Sequence, residues 1–151
     1  MNIQIESTGS DETEKIGKHI GRALRGGELI ELVSDLGGGK TTFVRGLVQG
    51  AGSIDTVHSP SFTLANIYKA GPYTICHYDF YRLAEPGIIA HELAENVDDP
   101  KKIVVIEWAH VIQDVIAKPH VILHIQQTGE NARHITIDYP KHVSYLFDGT
   151  S

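Results

Sequence analysis

A chain of 151 residues, 41% of them hydrophobic, has enough length to bury one compact core, and residues 1–151 read as a single soluble domain. A formal charge of −6 excludes a protein that grips nucleic acid by its own basic surface, because neutralising phosphates requires clustered Lys and Arg. With a single cysteine, Cys76, no signal peptide and no apolar run that would span a bilayer, the expected setting is the reducing cytoplasm, away from membranes.

Ile3 and Ile5 alternate with polar neighbours as in a short strand. A helix follows, capped by Ser10 or Asp11, with Glu14 completing a capping box with Asp11. Ile16, Ile20, Ala23 and Leu24 give this helix one apolar packing face, and Gly26-Gly27 ends it.

The stretch Glu28 to Gly50 carries the strongest signal. Leu29, Ile30, Leu32 and Val33 suit a strand covered on both faces, and Gly37-Gly38-Gly39 then lets the backbone turn tightly with its N–H groups free for a ligand. Phe43, Val44, Leu47 and Val48 recur at helical spacing, so a helix starts near Lys40 and aims its positive end at the same point. Gly39-Lys40-Thr41 matches the end of a GxxxxGK(S/T) pattern, in which Lys40 reaches the β- and γ-phosphates of a nucleotide and the Thr41 hydroxyl ligates Mg²⁺. Ser34 stands where that pattern begins with glycine.

Gly50 and Gly52 stop the helix, and TVHSPSFTL at 56–64 is a loop running into a strand. Its hydroxyls suit either plain connection or sensing of a γ-phosphate. Phe62, Leu64, Ile67 and Tyr68, the turn at 69–72 and the run Tyr73 to Asp79 form an antiparallel hairpin. Ile75, His77 and Asp79 share one face of the return strand. His77 and Asp79 are too few to hold a transition metal alone, so Asp79 is better read as part of a Mg²⁺-water shell or as the group that orients a water. Arg82 suits a phosphate contact or an ion pair with a nearby acid equally.

Ala84 to Lys102 reads as a mobile covering segment with a short helical pattern in Ile88, Ile89, Leu93 and Val97. Ile103 to Ile106 is a continuous apolar strand ending in Glu107-Trp108, the form of a Walker B element whose acid faces the cradle and Mg²⁺. Val111 to Ala117 suggests a further helix, and Val121 to Ile125 and Ile135 to Tyr139 a second hairpin around a Gln127–Asn131 turn. The remaining histidines are scattered without ligand spacing and are assigned no chemistry.

The expected fold is therefore α/β, a three-layer α/β/α P-loop NTPase fold with a mixed sheet. SDLGGGKTTFVRG, HSPSFTL, HYDFYRL and VVIEWA, in this order and across nearly the whole chain, resemble the four motifs of the TsaE family. That family comprises small bacterial P-loop ATPases needed to make threonylcarbamoyladenosine on tRNA together with the TsaB and TsaD proteins. The resemblance implies ATP at Gly37, Gly38, Gly39, Lys40, Thr41, Thr42 and Phe43, Mg²⁺ at Thr41 and Glu107, and catalytic roles for Lys40, Asp79 and Glu107. It also implies that Ser10, Thr13 and Gly129 border the adenine side, and that tRNA is met only indirectly through the complex. Ser61, where the family has threonine, is a second departure. No NKxD guanine motif occurs, which favours ATP over GTP. The alternative function is a small-molecule P-loop kinase; it is disfavoured because Arg82 and Arg133 are isolated and the segment after Arg82 is acidic, unlike an arginine-rich lid. A site relying on Lys40 and Mg²⁺ is expected to hydrolyse ATP slowly until partners dock.

Overall fold

The computed structural model describes residues 1–34, 39–57, 65–81, 83, 87, 89–114, 116 and 118–150. Its elements in chain order are β1 (Asn2–Ser7), α1 (Ser10–Ala23), β2 (Leu29–Val33), α2 (Lys40–Gly50), β3 (Ala65–Ala70), β4 (Tyr73–Asp79), α3 (Ile89–Asp98), β5 (Lys102–Glu107), β6 (Val121–Gln127) and β7 (Arg133–Asp138), with 3₁₀ turns at Ala109–Ile112 and Lys141–Phe147. The strands form one mixed sheet in the order β1-β7-β6-β2-β5-β4-β3. Four central strands, β6, β2, β5 and β4, run parallel, and the antiparallel pairs β3–β4 and β6–β7 are the two hairpins the alternation predicts. β1 adds antiparallel to β7.

Residue alternation divides the core into two layers. Ile30, Leu32, Ile75, Ile103 and Val105 point to the side of α1 and α2, whereas Leu29, Cys76, Tyr78, Val104 and Ile106 point to the side of α3. Helices thus cover both faces, giving the three-layer α/β/α arrangement. Leu93 and Val97 are buried, so α3 covers the sheet, while residues 84–86 and 88 of the expected covering segment lie outside the described residues. Cys76 is a buried free thiol, and burial pushes its pKa up.

α1 and α2 touch through glycines. A Cβ built on Gly17 would meet the Phe43 carbonyl oxygen at 2.3 Å and one on Gly21 the Leu47 oxygen at 2.2 Å. From the other helix, Gly46 and Gly50 would meet the Glu14 and Lys18 oxygens at 2.0 and 2.2 Å. Each helix carries its pair four residues apart, on one face, and only hydrogen fits between the backbones.

Two local expectations are corrected. Neither Ser10 nor Asp11 caps α1: the N-cap is Gly9, which makes no side-chain cap bond, and the nearby acid that accepts a backbone N–H is Glu12, from Thr8 at 2.8 Å. The cap thus lies one residue before Ser10 and two before Asp11, and the acid that accepts a backbone N–H is Glu12 in place of Glu14. Val111 and Ile112, where the sequence predicts the start of a helix, belong to a 3₁₀ turn that starts at Ala109, immediately after the left-handed Trp108; the Ile116 N–H reaches the Ile112 oxygen at 3.2 Å, and Val115 and Ala117 lie outside the described residues.

Candidate functional site

β2 and β5 are adjacent and parallel, and the strands that follow them, β3 and β6, lie on opposite sides of the pair. The carboxyl ends of β2 and β5 are therefore a switch point, where open α/β sheets form a crevice. Side chains from β4, β5 and α2 gather there.

α2 begins at Lys40 as the helical spacing predicts. Its N-cap, Gly39, has φ 104°, a left-handed conformation that glycine adopts without a Cβ clash, and its carbonyl accepts the Phe43 N–H at 3.0 Å. Gly37 and Gly38 lie outside the described residues, as do the HSPSFT stretch, Leu64 and Arg82. Thr41 and Thr42 are half-buried in the first turn, while the Phe43 side chain is core.

Lys40 is only 7% exposed. Burying an ammonium is costly without partners. Its Nζ donates to the Ser34 carbonyl oxygen at 3.2 Å, stands 3.7 Å from Glu107 Oε1 and lies 5.4 Å from the centre of the Trp108 ring. Glu107, 3% exposed at the end of β5, is held from its other oxygen by His77, whose Nε2 is 2.5 Å from Oε2. Asp79 lies beside Glu107 in the β4–β5 register and is half-buried, with Oδ1 accepting the Tyr81 N–H at 3.0 Å. Burial first, and then the neighbouring Glu107 charge, raise its pKa, against the bond from Tyr81 and the charges of His77 and Lys40.

Trp108 has φ 59°, a left-handed backbone that is an outlier for a bulky residue and costs about 1–3 kcal/mol. The turn redirects the chain and brings the indole against Tyr81, with ring centres 4.9 Å apart. A cavity of about 220 Å³ opens beside it, lined among others by Val33, Ser34, Lys40, His110 and Gln113.

The remaining candidates meet at one corner. Ser7 pairs with Arg133 in the β1–β7 register, and its hydroxyl lies 2.8 Å from that of Thr13, which is buried. Arg133 Nε is 3.7 Å from where a Cβ on Gly39 would sit. Its Nη1 donates to the Ala132 carbonyl at 2.9 Å and to the Gly129 carbonyl at 3.5 Å. Ser10 and Gly129 are exposed. The start of α1, the β6–β7 turn and the cradle are thus contiguous, with Arg133 between them. Sequence reading left Arg133 isolated and gave His77 no partner; the register of β7 on β1 and of β4 on β5 is what joins them.

The Thr41 hydroxyl and the Glu107 carboxylate are hard oxygen donors of the kind Mg²⁺ takes, so these residues fit that ion. Among the described residues, no group of three or more His, Cys, Asp and Glu gathers into a dedicated cation cage. Phosphate and water oxygens would complete a shell built on Thr41 and Glu107. No helix among the described residues is long and apolar enough to cross a membrane.

The family model described as threonylcarbamoyl adenosine biosynthesis protein TsaE matches residues 7–135. The chain is 32% identical over 139 residues to tRNA threonylcarbamoyladenosine biosynthesis protein TsaE of Rickettsia felis, covering 91% of this chain and 81% of that protein. It is 31% identical over 135 residues to the protein of that name from Bacillus subtilis, covering 89% and 84%. Among solved structures, the crystal structure of Bacillus subtilis YdiB superposes with a TM-score of 0.76 at 25% identity, covering 99% of this chain and 93% of that one.

Proposed function

The chain belongs to the TsaE family, whose members serve tRNA threonylcarbamoyladenosine biosynthesis, and on that premise we propose that it is a Mg²⁺-dependent ATPase acting on a TsaB–TsaD complex. The observation that supports this most is the placement of buried Lys40 at the first turn of α2, 3.7 Å from the buried carboxylate of Glu107 at the end of β5. A P-loop lysine and a Walker B acid occupy these two positions in nucleotide-hydrolysing sheets.

In this reading Lys40 moves its charge onto the β- and γ-phosphates, and the backbone N–H groups of Gly37 to Phe43 with the α2 dipole hold the remaining phosphate oxygens. Thr41 and Glu107 hold Mg²⁺, which supplies neutralisation of phosphate charge when bound. Asp79 orients the attacking water; its burial beside Glu107 disfavours a second bare charge and makes it a better hydrogen-bond partner for that water. Ser10, Thr13 and Gly129 border the adenine, on the corner where Arg133 meets Gly39.

With a formal charge of −6, the chain has no basic excess to grip tRNA, so tRNA is met through the TsaB–TsaD assembly. The same reading implies a cytoplasmic protein. The test is threonylcarbamoylation of tRNA by purified TsaB and TsaD, with ATP and threonylcarbamoyl donor, in the presence and absence of this chain. Modification that continues only with the wild-type chain, and fails with Lys40→Ala, is the expected result. Modification indifferent to the chain, or stoichiometric phosphate transfer from ATP to a metabolite, would reverse the reading in favour of a small-molecule kinase.

A further inference from the structure

Packing alone does not explain the place of His77 in the fold. It is fully buried, on the α2 side of β4, between Ile75 and Asp79. An apolar residue would fill that position without desolvating two ring nitrogens. Nδ1 has no hydrogen-bond partner among the described residues, so the ring's polar interaction is concentrated in Nε2, 2.5 Å from Glu107 Oε2. Native cores rarely leave a buried polar atom unsatisfied, and such an atom calls for an explanation.

Glu107 accounts for the Nε2 side of the ring. Its two oxygens are used differently: Oε2 takes His77, and Oε1 is the oxygen 3.7 Å from Lys40 Nζ. A carboxylate fixed by one oxygen cannot rotate the other away. Strand register makes the geometry rigid, since β4 and β5 are paired from Thr74–Lys102 through Asp79–Glu107. Groups behind a metal-binding carboxylate commonly set its orientation, and their loss costs about 10–100-fold in metal affinity.

We propose that His77 is a positioning residue, which holds the Glu107 carboxylate so that Oε1 faces the Lys40 end of the cradle and the Mg²⁺ that accompanies ATP. This rests on the function proposed above. The ring touches neither nucleotide nor metal; it acts through Glu107.

The test compares the wild type with His77→Leu, which removes the donor, and His77→Gln, whose side-chain amide can replace Nε2–H. Binding of ATP is followed by the fluorescence of Trp108, the single tryptophan, in EDTA and across a Mg²⁺ titration, alongside thermal melting of each protein without ligand. The expected result is that His77→Leu, which leaves the buried Glu107 Oε2 without its partner, melts a few degrees below the wild type and binds ATP in EDTA within about twofold, yet needs at least tenfold more Mg²⁺ for the metal-dependent gain. His77→Gln recovers most of that gain. A Leu variant with the wild-type Mg²⁺ requirement would overturn the positioning role alone. So would a Gln variant as impaired as the Leu variant, with both melting well below the wild type, because that is the signature of a packing residue. A wild-type protein whose ATP affinity ignores Mg²⁺ would overturn the underlying reading, and the positioning role with it.

Discussion

Replacing Gly46 by alanine tests how tightly the site depends on the α1–α2 contact. The added Cβ would fall 2.0 Å from the Glu14 carbonyl oxygen, so the backbones must separate by about 1.4 Å to reach an ordinary 3.4 Å contact. Neither side of that contact is a flexible side chain. Overpacking of this kind costs about 1–3 kcal/mol, and a backbone obstacle puts it at the upper end. Alanine returns about 1 kcal/mol of helix propensity, leaving a net loss of about 1–2 kcal/mol. For a domain of this size each kcal/mol moves the melting midpoint by about 2–4 °C, so a fall of about 2–8 °C is expected. α2 also carries Lys40 and Thr41 at its other end, and a displacement of this order can cost about 10²-fold in a positioned reaction. Differential scanning calorimetry and ATP titration would be run beside Gln49→Ala, an exposed neighbour on the same helix expected to change stability by less than about 0.5 kcal/mol. A Gly46→Ala protein that melts at or above the wild-type midpoint and binds ATP normally would refute the close backbone contact.

Lys40→Ala removes charge-assisted bonds worth about 1.5–3 kcal/mol each, so ATP affinity measured by calorimetry should fall at least about tenfold; unchanged affinity would remove the phosphate-binding role. Glu107→Ala should lose Mg²⁺-dependent turnover while keeping part of its nucleotide affinity, and a variant that retains both would clear Glu107 of the metal role. His120 has its pKa raised above 6.5, chiefly by the hydrogen bond to Glu31 at 2.9 Å. Its stabilising contribution is therefore complete below pH 6.5 and lost as pH rises through the elevated folded value. The melting difference between the wild type and His120→Asn should shrink between pH 6 and 9, and a constant difference would contradict the pairing.

Much of this was legible in the residues because local pattern and global fold agree. The apolar run of β2 and the helical spacing from Lys40 specify a strand and a helix, and the structure has both, with β2 at Leu29–Val33 and α2 beginning at Lys40. Hairpins were visible because alternation has a period that no helix shares. Glu107 was readable because a β-branched strand ends on it. What was not legible depends on contacts distant in sequence. The glycines at 17, 21, 46 and 50 have the spacing of a helix-helix contact, but that spacing has meaning only once the two helices are known to cross. The His77–Glu107 bond joins residues 30 apart through strand register, and Arg133 reaches Gly39 only because β7 lies between β1 and β6. The α1 cap was misplaced because Gly9, with no side chain to offer, takes the N-cap ahead of both Ser10 and Asp11.

The central claim is that ATP turnover at the Lys40–Glu107 site is completed by the partners. Steady-state phosphate release should be measured for the chain alone, then with TsaB and TsaD, then with tRNA added. An arginine supplied by a partner is worth a factor of about 10³–10⁵ in P-loop NTPases, so turnover alone should be slow and should rise at least about tenfold when the partners are present. Fast hydrolysis by the chain alone, unchanged by TsaB, TsaD and tRNA, would contradict it.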